Sequence, residues 1–322
     1  VGVFVGMCSQ DWQLISQHHR VSPYTGTGCH GPSIAANRLS YALGLRGPSF
    51  VVDTACSSSL VAADCALDKL HAKSVGSVIV AGVNLNLTPH LYVAFANAHM
   101  LSPSGRNATF DASADGYVRG EGCLALLLEP RAAGTQQLSM VGSAINQDGR
   151  SATLTAPNGP AQQRCVRAAL ASAGVGTAAV AYVEAHGSAT PLGDVIEIEA
   201  LGAVMSAGGQ RPGRALPLGS GKTCVGHLEG AAGVLGLCKA AASLLQRRDA
   251  PLGLLQRLNA SFNVVKEKSF AAAFPSQILP LAPTDGDGDG AAPHSGTSSF
   301  GFGGTNAHTI LRLSGVPQRP EA

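Results

Sequence analysis

The sequence predicts a layered α/β fold in which helices cover the faces of the sheets. Apolar runs of strand length alternate along the chain with segments whose apolar residues recur at helical spacing, a pattern typical of this class. The chain has 322 residues, so we expect two packed halves or one large α/β unit. Hydrophobic residues make up 45% of it and charged residues 13%, a balance that suits a large buried core.

Composition and charge argue against several kinds of function. The formal net charge is +2 and no dense cluster of Lys and Arg occurs, so nucleic acid is not an expected partner. No apolar run reaches membrane-spanning length, and no signal peptide opens the chain. The eight cysteines form no C-x-x-C pair and no metal-ligand spacing, which predicts reduced thiols, no bound metal and an intracellular, cytoplasmic location. The opening residues, VGVFVG, include no Met and favour a piece of a larger polypeptide.

The first half is expected to alternate strands with helices and to contain long loops. Residues 12–30 show no clear period and predict a loop with some helix. Residues 84–121 predict ordered loops, which at this length usually cover or shape a site. The expected strands are 1–7, 49–52, 75–83 and 123–129, and the expected helices are 32–43 and the segment that follows Cys56.

The second half repeats this pattern after a predicted connector at 130–137. Asp194 is followed three residues later by Glu197, a spacing that predicts a pair resembling a capping box at the start of a helix. The expected strands are 138–145, 180–184 and 216–220, and the expected helices are 159–172, the one begun by Asp194 and a long one after His227.

Two glycine-rich runs have some features of ligand sites. The DGDGDG run at 285–290 resembles a calcium loop, but Gly296 stands where an EF-hand needs Glu, so a flexible surface loop is favoured. The FGFGGTN run at 300–306 has glycines like a phosphate loop but lacks GK[ST] and a strong following helix, so it gives only weak support to a nucleotide site.

Cys56 is the candidate nucleophile. It stands between a predicted strand and a predicted helix whose apolar face includes Leu60, Ala63 and Leu67. Backbone N–H groups and the dipole of that helix are expected to lower the pKa of the thiol and favour the reactive thiolate. Taken alone, Cys56 is better explained as a small buried apolar side chain, which is the commoner role of an intracellular cysteine.

His186 and His227 each stand in a turn flanked by glycine. A single histidine in such a place is usually structural, whereas two of them together with Cys56 indicate a catalytic set. His227 precedes the long helix, whose dipole is expected to keep the ring neutral and able to donate a hydrogen bond to an oxygen that gains charge. Lys222 could add positive potential to this site, or it could be an ordinary surface lysine.

Several motifs together identify a family resemblance. Four motifs occur in the order DTACSSS at 53–59, EAHG at 184–187, KTCVGHLE at 222–229 and FGFGGTN at 300–306. Two more, NRLSY at 37–41 and DGYVRGEG at 115–122, accompany them. The set resembles the β-ketoacyl synthases, most closely the ketosynthase domains of type I polyketide synthases.

This resemblance implies a thiolase-like fold. Its core would have five layers, α/β/α/β/α, built from two related halves, and the protein would form a homodimer. Residues 1–135 would be the half that carries the nucleophile, and residues 136–322 the half that carries the two histidines. Members of the family carry a further stretch before the position of Val1, so the first half is expected to be incomplete at its start.

The resemblance also implies a reaction. Cys56 would take an acyl chain from an acyl carrier protein, and His186 and His227 would stabilise the enolate formed when a malonyl-type extender on a carrier protein loses CO₂. Attack of that carbanion on the Cys56 thioester would complete a decarboxylative Claisen condensation in polyketide biosynthesis. The domain itself would bind no cofactor or metal, because its substrates arrive on phosphopantetheine.

Further residues receive roles by the same resemblance. The backbone N–H groups of Cys56 and Phe302 would form an oxyanion hole, and the Phe302 side chain would gate the acyl pocket. Lys222 would support the histidines, and Ser188 and Thr190 would contact the pantetheine arm.

The chain departs from the family pattern at two places. Cys224 stands where Asn is usual and is expected to alter the hydrogen bonds of the site, while Ser188-Ala189 replaces the commoner Thr-Gly. Loading-type decarboxylases and non-elongating ketosynthases typically lack one of the residues matching Cys56 and His186, and both are present here. Two alternatives stay open, a synthase of fatty acid synthesis and a non-elongating domain that binds carrier protein. A degradative thiolase fits less well.

Overall fold

The computed structural model describes residues 1–19, 31–130, 137–207, 215–267, 269–281 and 292–314. The glycine-rich run 285–290, most of the predicted connector and Cys29 lie outside these ranges. The strands are β1 Gly2–Gly6, β2 Ser49–Val52, β3 Val78–Asn84, β4 Gly122–Leu128, β5 Gln137–Gln147, β6 Val180–Glu184, β7 Leu216–Gly219, β8 Arg248–Asp249, β9 Ala272–Ala273, β10 Leu279–Pro280, β11 His294–Phe300 and β12 Thr305–Ser314. The α-helices are α1 Asp11–His19, α2 Ser33–Leu43, α3 Ser58–His71, α4 His90–Asn97, α5 Gly159–Ala173, α6 Gly193–Met205, α7 Lys222–Val225, α8 Ala232–Gln246 and α9 Asn263–Lys266.

The first sheet has the strand order β2-β1-β3-β4. The central strand β1 is parallel to both β2 and β3, whereas β4 is antiparallel to β3. All five residues of β1 are buried, because helices cover the sheet on both faces. Side chains of β1 therefore alternate between two clusters: Phe4 packs with Leu60 of α3, and Val5 packs with Ala36 of α2.

The second sheet repeats this topology within the order β5-β12-β11-β6-β7-β9. Its strand β6 is parallel to β7 and β11, and β12 is antiparallel to β11, as β4 is to β3. The two units thus share strand order and direction. The prediction of two related α/β halves is confirmed.

A layer of two helices separates the sheets. Leu60 of α3 and Val234 of α8 share one core cluster with Phe4 of the first sheet and Tyr182 of the second. The helices come close because Gly233 has no side chain; a Cβ at that position would lie 2.5 Å from the backbone nitrogen of Leu60. With α2 on the outer face of the first sheet and α5 and α6 on the outer face of the second, the core has the five layers expected.

The structure differs from the sequence prediction in two elements. Residues 84–121, predicted as loops, contain the helix α4, none of whose residues is fully buried. The helix α6 begins at Gly193, so Asp194 lies inside the helix and forms no capping box with Glu197. Both carboxylates instead bind backbone N–H groups of neighbouring loops.

Neither a membrane span nor a metal centre is found in the described ranges. Within them, no helix has the length and apolar character needed to cross a bilayer. No group of three or more His, Cys, Asp or Glu side chains in the same ranges is arranged to hold a metal ion.

Candidate active site

Cys56 lies on the turn between β2 and α3. The hydroxyl groups of the turn hold its backbone: Ser57 Oγ donates to the Thr54 carbonyl over 2.9 Å, and Ser58 Oγ donates to the Ala55 carbonyl over 2.5 Å. Ala55 adopts a positive φ of 56°, a left-handed conformation that an L-residue rarely adopts outside a turn. The small and hydroxylated residues of this segment therefore shape the turn that presents the thiol.

Contacts from the second half fix the same turn. The Ser299 hydroxyl on β11 donates to the Cys56 carbonyl over 2.7 Å. In the first turn of α3, Ser59 Oγ accepts a hydrogen bond from the Val234 N–H of α8 over 3.1 Å. The turn that carries Cys56 is thus held by both halves of the fold.

The environment of the Cys56 thiol differs from the one expected. Burial raises its pKa to about 11, and the charge of Glu229 adds to this effect. Lys222 and the backbone N–H groups of Phe302 and Cys56 lower the pKa, but by less than burial raises it. The prediction of a lowered pKa was wrong, because desolvation of the sulfur outweighs the nearby N–H groups and Lys222.

His186 follows β6 and is oriented by backbone contacts. Its own N–H donates to Glu197 Oε1 over 2.7 Å, and the next N–H, of Gly187, donates to Glu197 Oε2 over 2.8 Å. The Phe300 N–H donates to His186 Nδ1 over 3.3 Å. Since a backbone N–H can only donate, Nδ1 carries no proton and the neutral ring has its proton on Nε2.

His227 is oriented in the same way. Its backbone exchanges two hydrogen bonds with the segment before β4, His227 N–H to the Val118 carbonyl at 2.7 Å and Gly120 N–H to the His227 carbonyl at 2.8 Å. The Glu229 N–H donates to His227 Nδ1 over 2.9 Å, which places the ring proton on Nε2. The His186 and His227 ring centroids lie 5.5 Å apart.

Both rings are kept neutral by their surroundings. Burial lowers the pKa of His186 and of His227 well below the ordinary value, and the positive charge of Lys222 lowers both further. Arg119 contributes in the same direction at His227. The sequence predicted a neutral His227 but attributed it to the dipole of the long helix. That helix, α8, begins only at Ala232, and burial is the main cause.

Lys222 is a buried residue of α7, only 4% exposed, which excludes a surface lysine. Its Nζ donates to the His186 carbonyl. Burial lowers the pKa of Lys222, and the carboxylates of Glu184 and Glu197 oppose that shift. Lys222 therefore supports the backbone of one histidine and brings positive charge close to both.

The loop after His186 rests on a second buried carboxylate. Asp194 Oδ1 accepts from the Ala189 N–H over 3.0 Å, and Oδ2 accepts from the Phe110 N–H over 2.8 Å. Burial raises the pKa of Asp194 and of Glu197 to about 7. Ala189 holds a positive φ of 59° at the position where the family usually has Gly.

One cavity of about 330 Å³ joins these side chains. The predicted residues that line it are Cys56, His186, Ser188, Thr190, His227 and Phe302. The hydroxyl oxygens of Ser188 and Thr190 lie 2.9 Å apart, and the side chain of Phe302 is 45% exposed. Cys224 is exposed and does not line the cavity. Within the described residues, its sulfur has one hydrogen-bond contact, with Thr223 Oγ1 at 3.7 Å. The expected effect of Cys224 on the hydrogen bonds of the site is therefore not observed.

Sequence reasoning missed several residues that hold the site. The spacing of Glu197 suggested a helix cap, and Arg119 and Glu229 received no role although both stand within quoted motifs. Arg119 and Glu229 form a buried ion pair beside His227. The burial of these two charges is not visible in the motifs, but charged residues of opposite sign in two motifs of one site are a signal for such a pair, because buried charges are usually paired.

The fold and this site define a class of protein. A thiol on a strand-to-helix turn and two neutral imidazoles that share one cavity form the kind of site found in thiolase-like enzymes, which transfer acyl groups and form carbon–carbon bonds. Family models agree: the β-ketoacyl synthase N-terminal domain matches residues 1–134, and the β-ketoacyl synthase C-terminal domain matches residues 138–252. The chain belongs to the β-ketoacyl synthase family, as a ketosynthase of the polyketide synthase type.

Relatives of known name support this assignment. Polyketide synthase ThaG of Burkholderia thailandensis is 43% identical over 327 residues, which cover 97% of this chain and 6% of that protein. A phenolphthiocerol/phthiocerol polyketide synthase of Mycobacterium tuberculosis is 43% identical over 317 residues, 96% of this chain and 20% of that protein. The chain thus spans a fifth or less of the length of these two relatives.

Solved structures show the same fold. The oxazolomycin ketosynthase domain OzmH KS7 from Streptomyces albus superposes with a TM-score of 0.89 at 32% identity, over 100% of this chain and 56% of that one. The ketosynthase from module 6 of the bacillaene synthase of Bacillus subtilis superposes with a TM-score of 0.84 at 32% identity, over 98% of this chain and 54% of that one.

Proposed function

We propose that this chain catalyses the decarboxylative Claisen condensation of a Cys56-bound acyl chain with a malonyl-type extender on acyl carrier protein, in polyketide biosynthesis. The observation that carries the proposal is the arrangement of three groups around one cavity. Cys56 supplies a nucleophile, and His186 and His227 both have Nδ1 occupied by a backbone donor, which leaves each Nε2–H free to donate.

The first step loads the acyl chain. The Cys56 sulfur attacks the carbonyl carbon of an acyl-pantetheine thioester, the new S–C bond forms, and the bond to the pantetheine sulfur breaks. The proton of the Cys56 thiol passes to the departing thiolate. Backbone N–H groups of Cys56 and Phe302 lower the pKa of the thiol, which supports their role as donors to the oxyanion formed beside it.

The second step generates the carbon nucleophile. The bond between the malonyl α-carbon and its carboxylate breaks, CO₂ leaves, and the electron pair enters the enolate. Two neutral Nε2–H donors stabilise the enolate oxygen without the proton transfer that an imidazolium would risk. Lys222 supports the His186 carbonyl and adds positive potential.

The third step joins the two chains. The enolate α-carbon attacks the Cys56 thioester carbonyl, a carbon–carbon bond forms, and the bond between that carbonyl and the Cys56 sulfur breaks. The thiolate that leaves regains a proton from solvent. A β-ketoacyl chain two carbons longer stays on the carrier protein.

The remaining assignments extend the same proposal. Ser188 and Thr190, whose hydroxyls line the cavity, bind the pantetheine arm, and Phe302 gates the acyl pocket. Residues 1–135 and 136–322 act as the two halves of one protomer of a homodimer, which serves acyl carrier protein within a multidomain synthase. The substrates arrive on phosphopantetheine, and the domain binds no cofactor of its own. An intracellular location stays a prediction of the cysteine pattern.

The experiment that tests the proposal is intact-protein mass spectrometry after incubation with a short acyl-pantetheine thioester. We expect one acyl group, mapped to Cys56, and none on the Cys56→Ala variant. Subsequent addition of a malonyl thioester should release the β-ketoacyl product. Failure of the folded chain to take up an acyl group, or uptake on another cysteine, would contradict the proposal.

A further inference from the structure

Residues 117–120, which precede β4, contact His227 on one side, and the Glu229 N–H contacts it on the other. Arg119 is the residue of that segment paired with His227, through the two backbone hydrogen bonds that Val118 and Gly120 make. The Tyr117 ring lies 5.0 Å from the His227 ring, centroid to centroid. The imidazole is therefore positioned by one short stretch of chain and by the residue two places after it.

Glu229 adopts a backbone conformation that needs support. Its φ is +45°, in the left-handed region that residues other than glycine rarely occupy. In this conformation the Glu229 N–H donates to His227 Nδ1 over 2.9 Å, while the Glu229 side chain contacts Arg119. Because φ sets the angle between the N–H and the side chain, a residue that relaxed from it would no longer hold both contacts.

The Glu229 side chain provides the constraint. Its Oε1 lies 2.5 Å from Arg119 Nε, and its Oε2 lies 3.0 Å from Arg119 Nη2, a two-point contact between planar groups. The Arg119 and Glu229 side chains are 0% and 6% exposed respectively. The Arg119 guanidinium also stacks on α4, 4.7 Å from the Tyr92 ring centroid and 5.6 Å from that of Phe95, so the pair is held in one geometry.

We propose that Arg119 and Glu229 are positioning residues that fix His227 in the tautomer with its proton on Nε2. The ion pair holds Glu229 in the left-handed conformation, and the Glu229 N–H then occupies Nδ1. The inference rests on the proposed function in one respect: His227 is taken to donate from Nε2 to the enolate oxygen. With the proton on Nδ1 instead, Nε2 would present a lone pair to that oxygen and oppose decarboxylation.

The test replaces Arg119 by Lys, which keeps the positive charge but cannot make the two-point contact of the guanidinium with Glu229. Ring nitrogens of ¹⁵N-labelled histidine are followed by NMR, and the His227 signals are assigned by their loss in His227→Asn. We expect an unprotonated Nδ1 in the wild type and a protonated Nδ1 population in Arg119→Lys. Decarboxylation of a malonyl thioester should fall by about 10-fold or more, while Cys56 acylation persists.

Two further variants keep the test decisive. If Arg119→Lys does not fold, the double variant Arg119→Met/Glu229→Gln removes both charges together and is read in the same way. Asp111→Asn is the matched control, because Asp111 is also a buried carboxylate with several hydrogen bonds but makes no contact with His227. It should lose stability without any change in the His227 signals.

The readouts separate the two proposals. An unchanged His227 tautomer in the folded Arg119 variants would overturn the positioning role, whatever the activity. A changed tautomer that leaves decarboxylation at the wild-type rate would confirm the positioning and overturn the role of His227 in the proposed function. A tautomer change in Asp111→Asn as large as that in Arg119→Lys would also overturn the inference, because general loosening would then explain both.

Discussion

The imidazole rings of His186 and His227 meet edge to face, with ring planes at 78° and centroids 5.5 Å apart. Each ring has its Nδ1 occupied by a backbone N–H, from Phe300 in one case and from Glu229 in the other. The two Nε2–H groups are consequently the ring donors left for the shared cavity. A pair of donors fixed before substrate binds needs little reorganisation when charge develops on an enolate oxygen.

Replacement of His227 by Ala should separate loading from decarboxylation. We expect Cys56 to accept an acyl group, while malonyl decarboxylation falls by about 10²–10³-fold, the usual cost of one oxyanion donor. His227→Gln should lose less, because its side-chain amide can donate from near the Nε2 position. Parallel assays of acylation and CO₂ release check both variants. If His227→Gln lost as much decarboxylation as His227→Ala, Nε2–H donation would not be the function of His227.

The raised pKa of Cys56, about 11, predicts the pH dependence of its alkylation. Below that pKa the thiolate is the minor form, and its fraction rises about tenfold per pH unit. The rate of Cys56 modification by iodoacetamide, followed by peptide mapping, should therefore rise from about pH 7 to about pH 10 without a plateau. A small free thiol in the same series should level off near its ordinary pKa of about 8.5. A plateau of the Cys56 rate near neutral pH would contradict the burial effect.

The buried His308 is expected to make the fold less stable in acid. This residue of β12 is fully buried, its Nδ1 lies 2.9 Å from Ser298 Oγ, and burial lowers its pKa to about 3. The unfolded chain binds a proton near the ordinary pKa of about 6.5, so the free energy of unfolding falls as the pH drops from about 6.5 towards about 3, by at most about 1.4 kcal/mol per unit. Urea unfolding of wild type and His308→Gln between about pH 4 and about pH 7 measures the difference. The variant should show the shallower pH dependence, and identical slopes would exclude His308 as a contributor.

Ala189→Gly should stabilise the fold. Ala189 holds a φ of +59°, a conformation that costs an L-residue about 1–2 kcal/mol and glycine very little. The greater freedom of glycine in the unfolded chain offsets part of this gain, so we expect a rise of about 0.5–1 kcal/mol in the free energy of unfolding. Ala42→Gly, at an exposed position of α2, is the matched control and should destabilise by about 0.5–1 kcal/mol. A destabilised Ala189→Gly would show that the backbone strain is absent.

Apolar periodicity was enough to predict most of the fold. The strand β1 and the helix α3 bury continuous or regularly spaced apolar residues, and such patterns follow directly from burial. The helix α4 was missed because it packs no residue into the core. Its side chains instead lie over Arg119, a contact between distant parts of the chain that no local pattern records.

The sequence predicted several side chains that meet at the cavity, but neither the charged residues behind them nor the electrostatics of the site. Cys56, His186 and His227 share the cavity that the motifs indicated. The pKa of the thiol could not be derived from the strand-to-helix turn, because it depends on burial and on Glu229, which lies far along the chain. Glu197 illustrates the same limit: its spacing from Asp194 suggested a cap, whereas its carboxylate binds the loop of His186.

The hydrogen bond from Ser299 to the Cys56 carbonyl joins residues 243 positions apart. Closing a loop of that length is slow compared with forming a helix, so contacts of this kind appear late when a chain folds. The helix α3 can form early from local contacts. We expect Cys56, on the turn before it, to reach its final geometry only after β11 has paired with β6 and joined the second sheet. In a refolding experiment, recovery of Cys56 acylation should therefore lag behind recovery of helical circular dichroism and report the last stage of assembly.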